Sequence, residues 1–147
     1  MDMFAAFDIS AAGMNLERLR LDVSAVNLAN AHTSRAPDGS LFRPLRVVAR
    51  PAAAFSFANT LQAMRGSPVG VTPYDVSVET VDRPPRMVFE PGHPDADAKG
   101  FVAYPDINPV SEMIELITIT RSYEANVRAM NMAKTMALKA LEIGGDR

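Results

Sequence analysis

A chain of 147 residues with 48% hydrophobic and 22% charged side chains can bury a real core and is not disordered by composition. It has no cysteine, which excludes disulfides, thiolate metal sites and cysteine nucleophiles, and its net charge of −2 argues against a general nucleic-acid binder. The early apolar run 3–7 is too short for a signal core, the first basic residue is Arg18, and no stretch is long enough to span a bilayer. A protein of this kind working outside the cytosol is therefore expected to need an export route without leader cleavage.

Residues 9–30 carry apolar side chains at the 3,4 spacing of a helix that seeks a partner: Ile9, Ala12, Leu16, Leu19, Val23 and Val26, with Asn30 closing the row. Asp8 or Ser10 is placed to cap this helix. The cluster His32, Thr33, Ser34 and then Pro37, Asp38, Gly39 supplies stop and turn signals, so the helix should end near Ala31. Its roughly 22 residues would span about 33 Å.

From Leu41 to Tyr104 the pattern changes to short extended pieces separated by prolines. The predicted strands are 42–49, 69–72, 75–81, 86–90 and 101–104, with Pro44 and Pro73 tolerated at edges or bends. The alanine-rich stretch 52–64 fits either a short helix or a loop. The charge is two-toned here: residues 35–65 hold five arginines against Asp38 alone, whereas 66–120 hold nine acids against Arg83, Arg86 and Lys99. Clustering of this sort reads as a solvated surface or as complementary strips that meet between subunits.

A second helix is predicted over 109–143, capped by Asn108, with Pro109 at its first position and Ser111, Glu112 and Glu115 in its first turns. Its stripe runs Met113, Leu116, Thr120, Tyr123, Val127, Met130, Lys134, Ala137 and Leu141, and Ile114, Ile117, Met132, Met136, Leu138 and Ile143 widen it beyond one seam. A helix apolar on more than one side belongs in a multi-helix packing. At about 35 residues and 52 Å it outruns the first helix, so its excess is expected to meet another molecule. Pairing of the terminal helices is the simplest way to bury both stripes. The fold class expected is therefore α+β, with N- and C-terminal helices paired as a coiled-coil-like stalk around a small β-rich middle domain. Its parts are residues 1–36, 37–106 and 107–147.

Chemical candidates are few. His93, Asp95 and Asp97 place an imidazole and two carboxylates within five residues, but the spacing matches no metal motif, and the run reads as a proline- and Asx-rich turn between two strands. His32 lies just past a helix end, where it serves as a cap. No Ser-His-Asp order and no glycine-rich phosphate loop after a strand is visible, so neither an enzyme nor a cofactor is expected. The nine methionines suit either a Met-rich groove or the irregular interfaces of the long helix. Thr120, Asn131 and Lys134 fall on or beside the apolar face, where polar seam residues set register.

The first helix ends in Val26-Asn27-Leu28-Ala29-Asn30-Ala31-His32-Thr33, similar to the Asn-Leu-Ala-Asn signature of flagellar axial proteins, and Pro37-Asp38-Gly39 follows it. More specific is the run from Val88-Phe89-Glu90-Pro91-Gly92-His93 through Asp97, then Gly100-Phe101-Val102-Ala103-Tyr104-Pro105. With Ser122-Tyr123-Glu124-Ala125-Asn126 and Met136-Ala137-Leu138-Lys139, these motifs together resemble the flagellar basal-body rod protein C family. The resemblance implies a non-enzymatic subunit of the proximal rod, the drive shaft crossing the periplasm, exported by the flagellar type III apparatus. Its implied partners are other rod proteins, copies of itself and the adaptor at the rod base. The residues expected at the assembly interface are Leu16, Leu19, Val23, Val26, Asn27 and Asn30 on the first helix. On the second they are Leu116, Thr120, Tyr123, Asn126, Val127, Met130, Asn131, Lys134, Leu138 and Leu141. The alternatives are a cytosolic helical adaptor that binds a partner helix in a groove, and a metal-dependent hydrolase using His93, Asp95 and Asp97.

Overall fold

In the computed structural model of the chain, which describes residues 3–35, 39–51 and 74–145, helix α1 runs Met3–Asn30. It starts six residues before the predicted Ile9. No proline or glycine interrupts 3–12, and Ala5 and Ala6 are strong helix formers, so Asp8 and Ser10 lie inside the helix rather than at its cap. Its end is close to the predicted one. Asn30 Nδ2 donates to the Val26 carbonyl at 2.8 Å, and the amides of Ala31 and Thr33 donate to the carbonyls of Leu28 and Asn30 at 3.3 and 3.0 Å. These bonds satisfy carbonyls that a helix end would leave open.

Strand β1 (Leu45–Pro51) pairs with β2 (Tyr74–Thr80), and β3 (Arg86–Phe89) pairs antiparallel with β4 (Phe101–Tyr104). β1 begins three residues later than expected because Pro44 has no N–H to give. Its carbonyl still accepts from the Val81 amide at 2.7 Å, so Pro44 is the bend leading into the strand. The predicted strand 69–72 and the stretch 52–64 lie outside the described residues.

The β3–β4 register sets Met87 opposite Ala103 and Phe89 opposite Phe101 on one face, with Val88 opposite Val102 and Arg86 opposite Tyr104 on the other. Val102 and Tyr104 turn inward and are buried, whereas Phe89 is 62% exposed and meets Phe101 edge-on at 5.3 Å between ring centroids. Gly100 ends the connecting loop at φ +82°, and a methyl group there would stand 2.9 Å from Phe89 Cε2. Both the backbone and the ring demand glycine. Gly100→Ala should lower the unfolding free energy by about 1–3 kcal/mol, measured by urea denaturation. Gly39→Ala, at the same φ with open space around it, should cost less.

Helix α2 runs Pro109–Gly145. Asn108 Oδ1 accepts from the amides of Val110 and Ser111 at 3.0 and 3.4 Å, the cap that the sequence predicts. With 37 residues against 28 in α1, it is longer by about 14 Å, less than the sequence suggested, because α1 starts earlier.

The described residues form two compact units, one of 3–18, 49–51, 74–77 and 121–145, the other of 19–35, 39–48 and 78–120. The second holds most of the buried side chains, among them Val23, Ala31, Val102, Ile107 and Ile119. In the first, Ala133 is the buried apolar residue among those described. The architecture is α+β, with a helix towards each end and small strand pairs between them.

Candidate assembly surfaces

Asn27 is 4% exposed and its amide side chain reads the backbone of Leu45 at two points. Nδ2 donates to the Leu45 carbonyl at 2.8 Å, and the Leu45 amide donates to Oδ1 at 2.8 Å. Only a carboxamide offers a donor and an acceptor at this spacing, so Asn27 does for the first residue of β1 what a neighbouring strand would do. One turn earlier, the buried Ser24 donates to Glu112 Oε2 at 2.6 Å, and Arg20 reaches Glu115 at 3.5 Å. Positions rising along α1 thus meet positions falling along α2, so in this unit the two helices run antiparallel. A cleft lies beside this junction, lined in part by Pro44, Leu45, Val81, Arg83, Asp106 and Ile107. Its wall charges answer one another, Arg83 lying 3.8 Å from Asp106.

In the other unit Gly13 lies against Asn126. A methyl group at Gly13 would stand 3.0 Å from Asn126 Nδ2. Glycine inside a helix costs about 1 kcal/mol relative to alanine, a cost consistent with close approach of the asparagine.

The remaining predicted residues divide by exposure. On α1, Val23 is buried, Leu16, Leu19 and Asn30 are half-buried, and Val26 is exposed. On α2, Leu116, Val127 and Met130 are half-buried, while Thr120, Tyr123, Asn131, Lys134, Leu138 and Leu141 are exposed. Thr120 bonds back to the Leu116 carbonyl at 2.8 Å. The inward face of α2 follows Glu112, Leu116, Ile119, Ser122, Asn126, Val127, Met130, Ala133 and Ala137, so Leu116, Val127, Met130 and Ala137 of the predicted stripe are on it while Met113, Thr120, Tyr123, Lys134 and Leu141 are not. Sequence reasoning missed Ser24, Ala31, Ile119 and Ala133. Ser24 and Ala133 are small, and a search for large apolar residues passes over them, whereas Ile119 is large and lies one position before the stripe residue Thr120.

What faces outward is correspondingly apolar. Val110, Met113, Ile114 and Ile117 are all more than half exposed, as are Met132, Met136, Leu138, Leu141 and Ile143 further along α2. Every residue from 138 to 143 is exposed. Isolated apolar side chains on a surface are ordinary, but clusters such as those at 110–117 and 132–143 mark candidate binding faces.

The run from His93 to Asp97 folds as a turn held by its own polar groups. Asp97 Oδ1 accepts from the amides of Lys99 and Phe101 at 2.8 and 2.9 Å. Asp95 Oδ2 accepts from Ser34 Oγ at 2.8 Å, with Arg35 3.7 Å from its other oxygen, and His93 Nδ1 accepts from the Asp95 amide at 3.1 Å. These bonds account for the residue types without invoking an ion. Tyr104 sits between the rings of His32 and His93, with centroids at 6.4 and 6.3 Å, and donates to Glu90 Oε2 at 3.0 Å. Burial first, and then that bond, raise its hydroxyl above the usual value of 10.0, so it remains a donor.

Comparison with known proteins places these surfaces in a family. The family described as flagellar basal body rod FlgEFG protein C-terminal matches residues 98–143. The flagellar basal-body rod protein FlgC of Bacillus subtilis is 40% identical over 149 aligned residues, covering 98% of this chain and 99% of the relative. That of Escherichia coli O157:H7 is 39% identical over 144, with the same coverage of each. That of Borreliella burgdorferi is 33% identical over 149, covering 97% of this chain and 98% of the relative. With likeness of this degree running along nearly the whole of each sequence, the chain belongs to the flagellar basal-body rod protein FlgC family.

Proposed function

We propose that this protein is a structural subunit of the bacterial flagellar basal body, built into the proximal rod with other rod proteins and further copies of itself. Membership of the FlgC family supports the rod assignment, and a rod component has no need of catalysis. The observation that carries the mode of assembly is the outward apolar side chains of α2, clustered at 110–117 and 132–143, which another helix would cover. In this reading the terminal parts, 1–36 and 107–147, carry assembly as a helical stalk, and the β-rich part 37–106 is held from it. The inner contacts of each chain combine buried apolar residues such as Val23 and Ile119 with the polar pairings of Ser24 and Asn27, and further large apolar side chains of α2 remain for its neighbours. Interlocked helices packed to interior density resist twisting, which is what transmission of torque asks of a rod. The subunit would reach the periplasmic rod through the flagellar type III export apparatus, without a cleaved leader, and meet the rod-base adaptor there.

The test is a substitution that spares the fold and spoils the face. Ile114 and Ile117 are 60% and 56% exposed, so Ile114→Asp with Ile117→Asp should leave urea stability within about 0.5 kcal/mol of the parent. In cells lacking their own copy, the same variant should fail to enter isolated basal bodies and should not restore swimming. Normal incorporation would remove the outward side chains of α2 as the assembly face.

A further inference from the structure

The outward side chains of α2 contain a chemical weakness that leucine or isoleucine would not have. Met132 and Met136 are 66% and 64% exposed and stand one turn apart, so their thioethers lie side by side on one face. Met130 on the same helix and Met14 on α1 are half-buried, and Met113, 52% exposed, stands alone in the second turn of α2 with no methionine beside it. Before assembly a small oxidant reaches the two outer sulfurs first.

We propose that Met132 and Met136 form a peroxide-sensitive modification site that decides whether a subunit can enter the rod, an inference that rests on the assembly reading above. The thioether sulfur attacks one oxygen of a peroxide, an S–O bond forms and the O–O bond breaks. Sulfur is oxidised by two electrons, and the departing hydroxide takes a proton and leaves as water when the oxidant is hydrogen peroxide. Each conversion replaces a flexible apolar side chain by a polar one with a strong acceptor. On a face that is to be covered by another helix, that acceptor loses water and gains no donor in return. In a subunit already assembled the two sulfurs are covered, so the site acts on the unassembled chain alone. Met87, 51% exposed but on β3, oxidises without this consequence and serves as the internal control.

The experiment uses the full chain in cells that lack their own copy, exposed to a sublethal dose of hydrogen peroxide during induction. Basal bodies and the unassembled pool are separated, and sulfoxide at each methionine is quantified by peptide mass spectrometry. Sulfoxide at positions 132 and 136 is expected at least about tenfold enriched in the unassembled pool. At Met87 the two pools should differ by less than about twofold. Met132→Leu with Met136→Leu is expected to enter basal bodies equally with and without peroxide. Equal sulfoxide at 132 and 136 in both pools overturns the proposal, as does oxidation of Met14 and Met130 as fast as the outer pair in purified protein. A chain that fails to enter basal bodies without peroxide refutes the assembly reading instead, and the purified-protein oxidation order still tests the site.

Discussion

A chain ended after Ala137 should fold as the parent does and yet fail to build a rod. Residues 138–143 are all exposed, so their removal withdraws nothing from the core, and the urea midpoint should stay close to that of the intact chain. The loss falls on assembly. Leu138, Leu141 and Ile143 are 52%, 70% and 83% exposed, and covering each from full exposure would contribute about 1.5–3 kcal/mol. As they are already partly covered, together they are worth roughly 3–6 kcal/mol at most, on the order of a hundredfold or more in association. The measurement is the amount of truncated protein in isolated basal bodies, beside its yield in the soluble pool. Full incorporation and normal swimming would show that the exposed end is not an assembly surface.

Asn27→Ala should be the most damaging single truncation of a polar side chain in the second unit. It leaves the Leu45 amide and carbonyl without the two bonds of 2.8 Å they now make, at a position where Asn27 itself is 4% exposed. Each buried group left unsatisfied costs about 1–3 kcal/mol, so the total for the two is about 2–6 kcal/mol. That is a large part of the 5–15 kcal/mol typical of a folded domain. Asn27→Asp should be no better, because its second carboxylate oxygen would face the Leu45 carbonyl where a donor now stands. Urea unfolding measures the loss, and hydrogen exchange at the Leu45 amide locates it. A stability within 0.5 kcal/mol of the parent, an allowance on the order of ordinary surface effects, would show that water replaces the clamp.

The local signals were enough to determine the elements. Asn108 followed by Pro109 starts α2 where the sequence says it should, because a cap and a proline at the first turn act within a few residues of themselves. The strands at 86 and 101 and the Asx turn between them follow for the same reason. Motifs such as Asn27-Leu28-Ala29-Asn30 and the run from Val88 to Pro105 carried the family likeness in the sequence, and the relatives' identity along the chain agrees with it. Tertiary structure decided which members of each apolar row turn inward. On α1 Val23 is buried and Ala12, Leu16 and Leu19 are half-buried, while Ile9 and Val26 of the same row stay exposed. The inner face is instead selected by close fit, with Gly13 against Asn126, Ser24 on Glu112 and Asn27 on the backbone of Leu45. Such pairings join residues far apart in sequence and depend on distance and hydrogen-bond geometry. Hydrophobicity ranks side chains one at a time, so it selected Met113, Tyr123 and Leu141, which face outward, alongside Val23, Leu116 and Val127, which are covered.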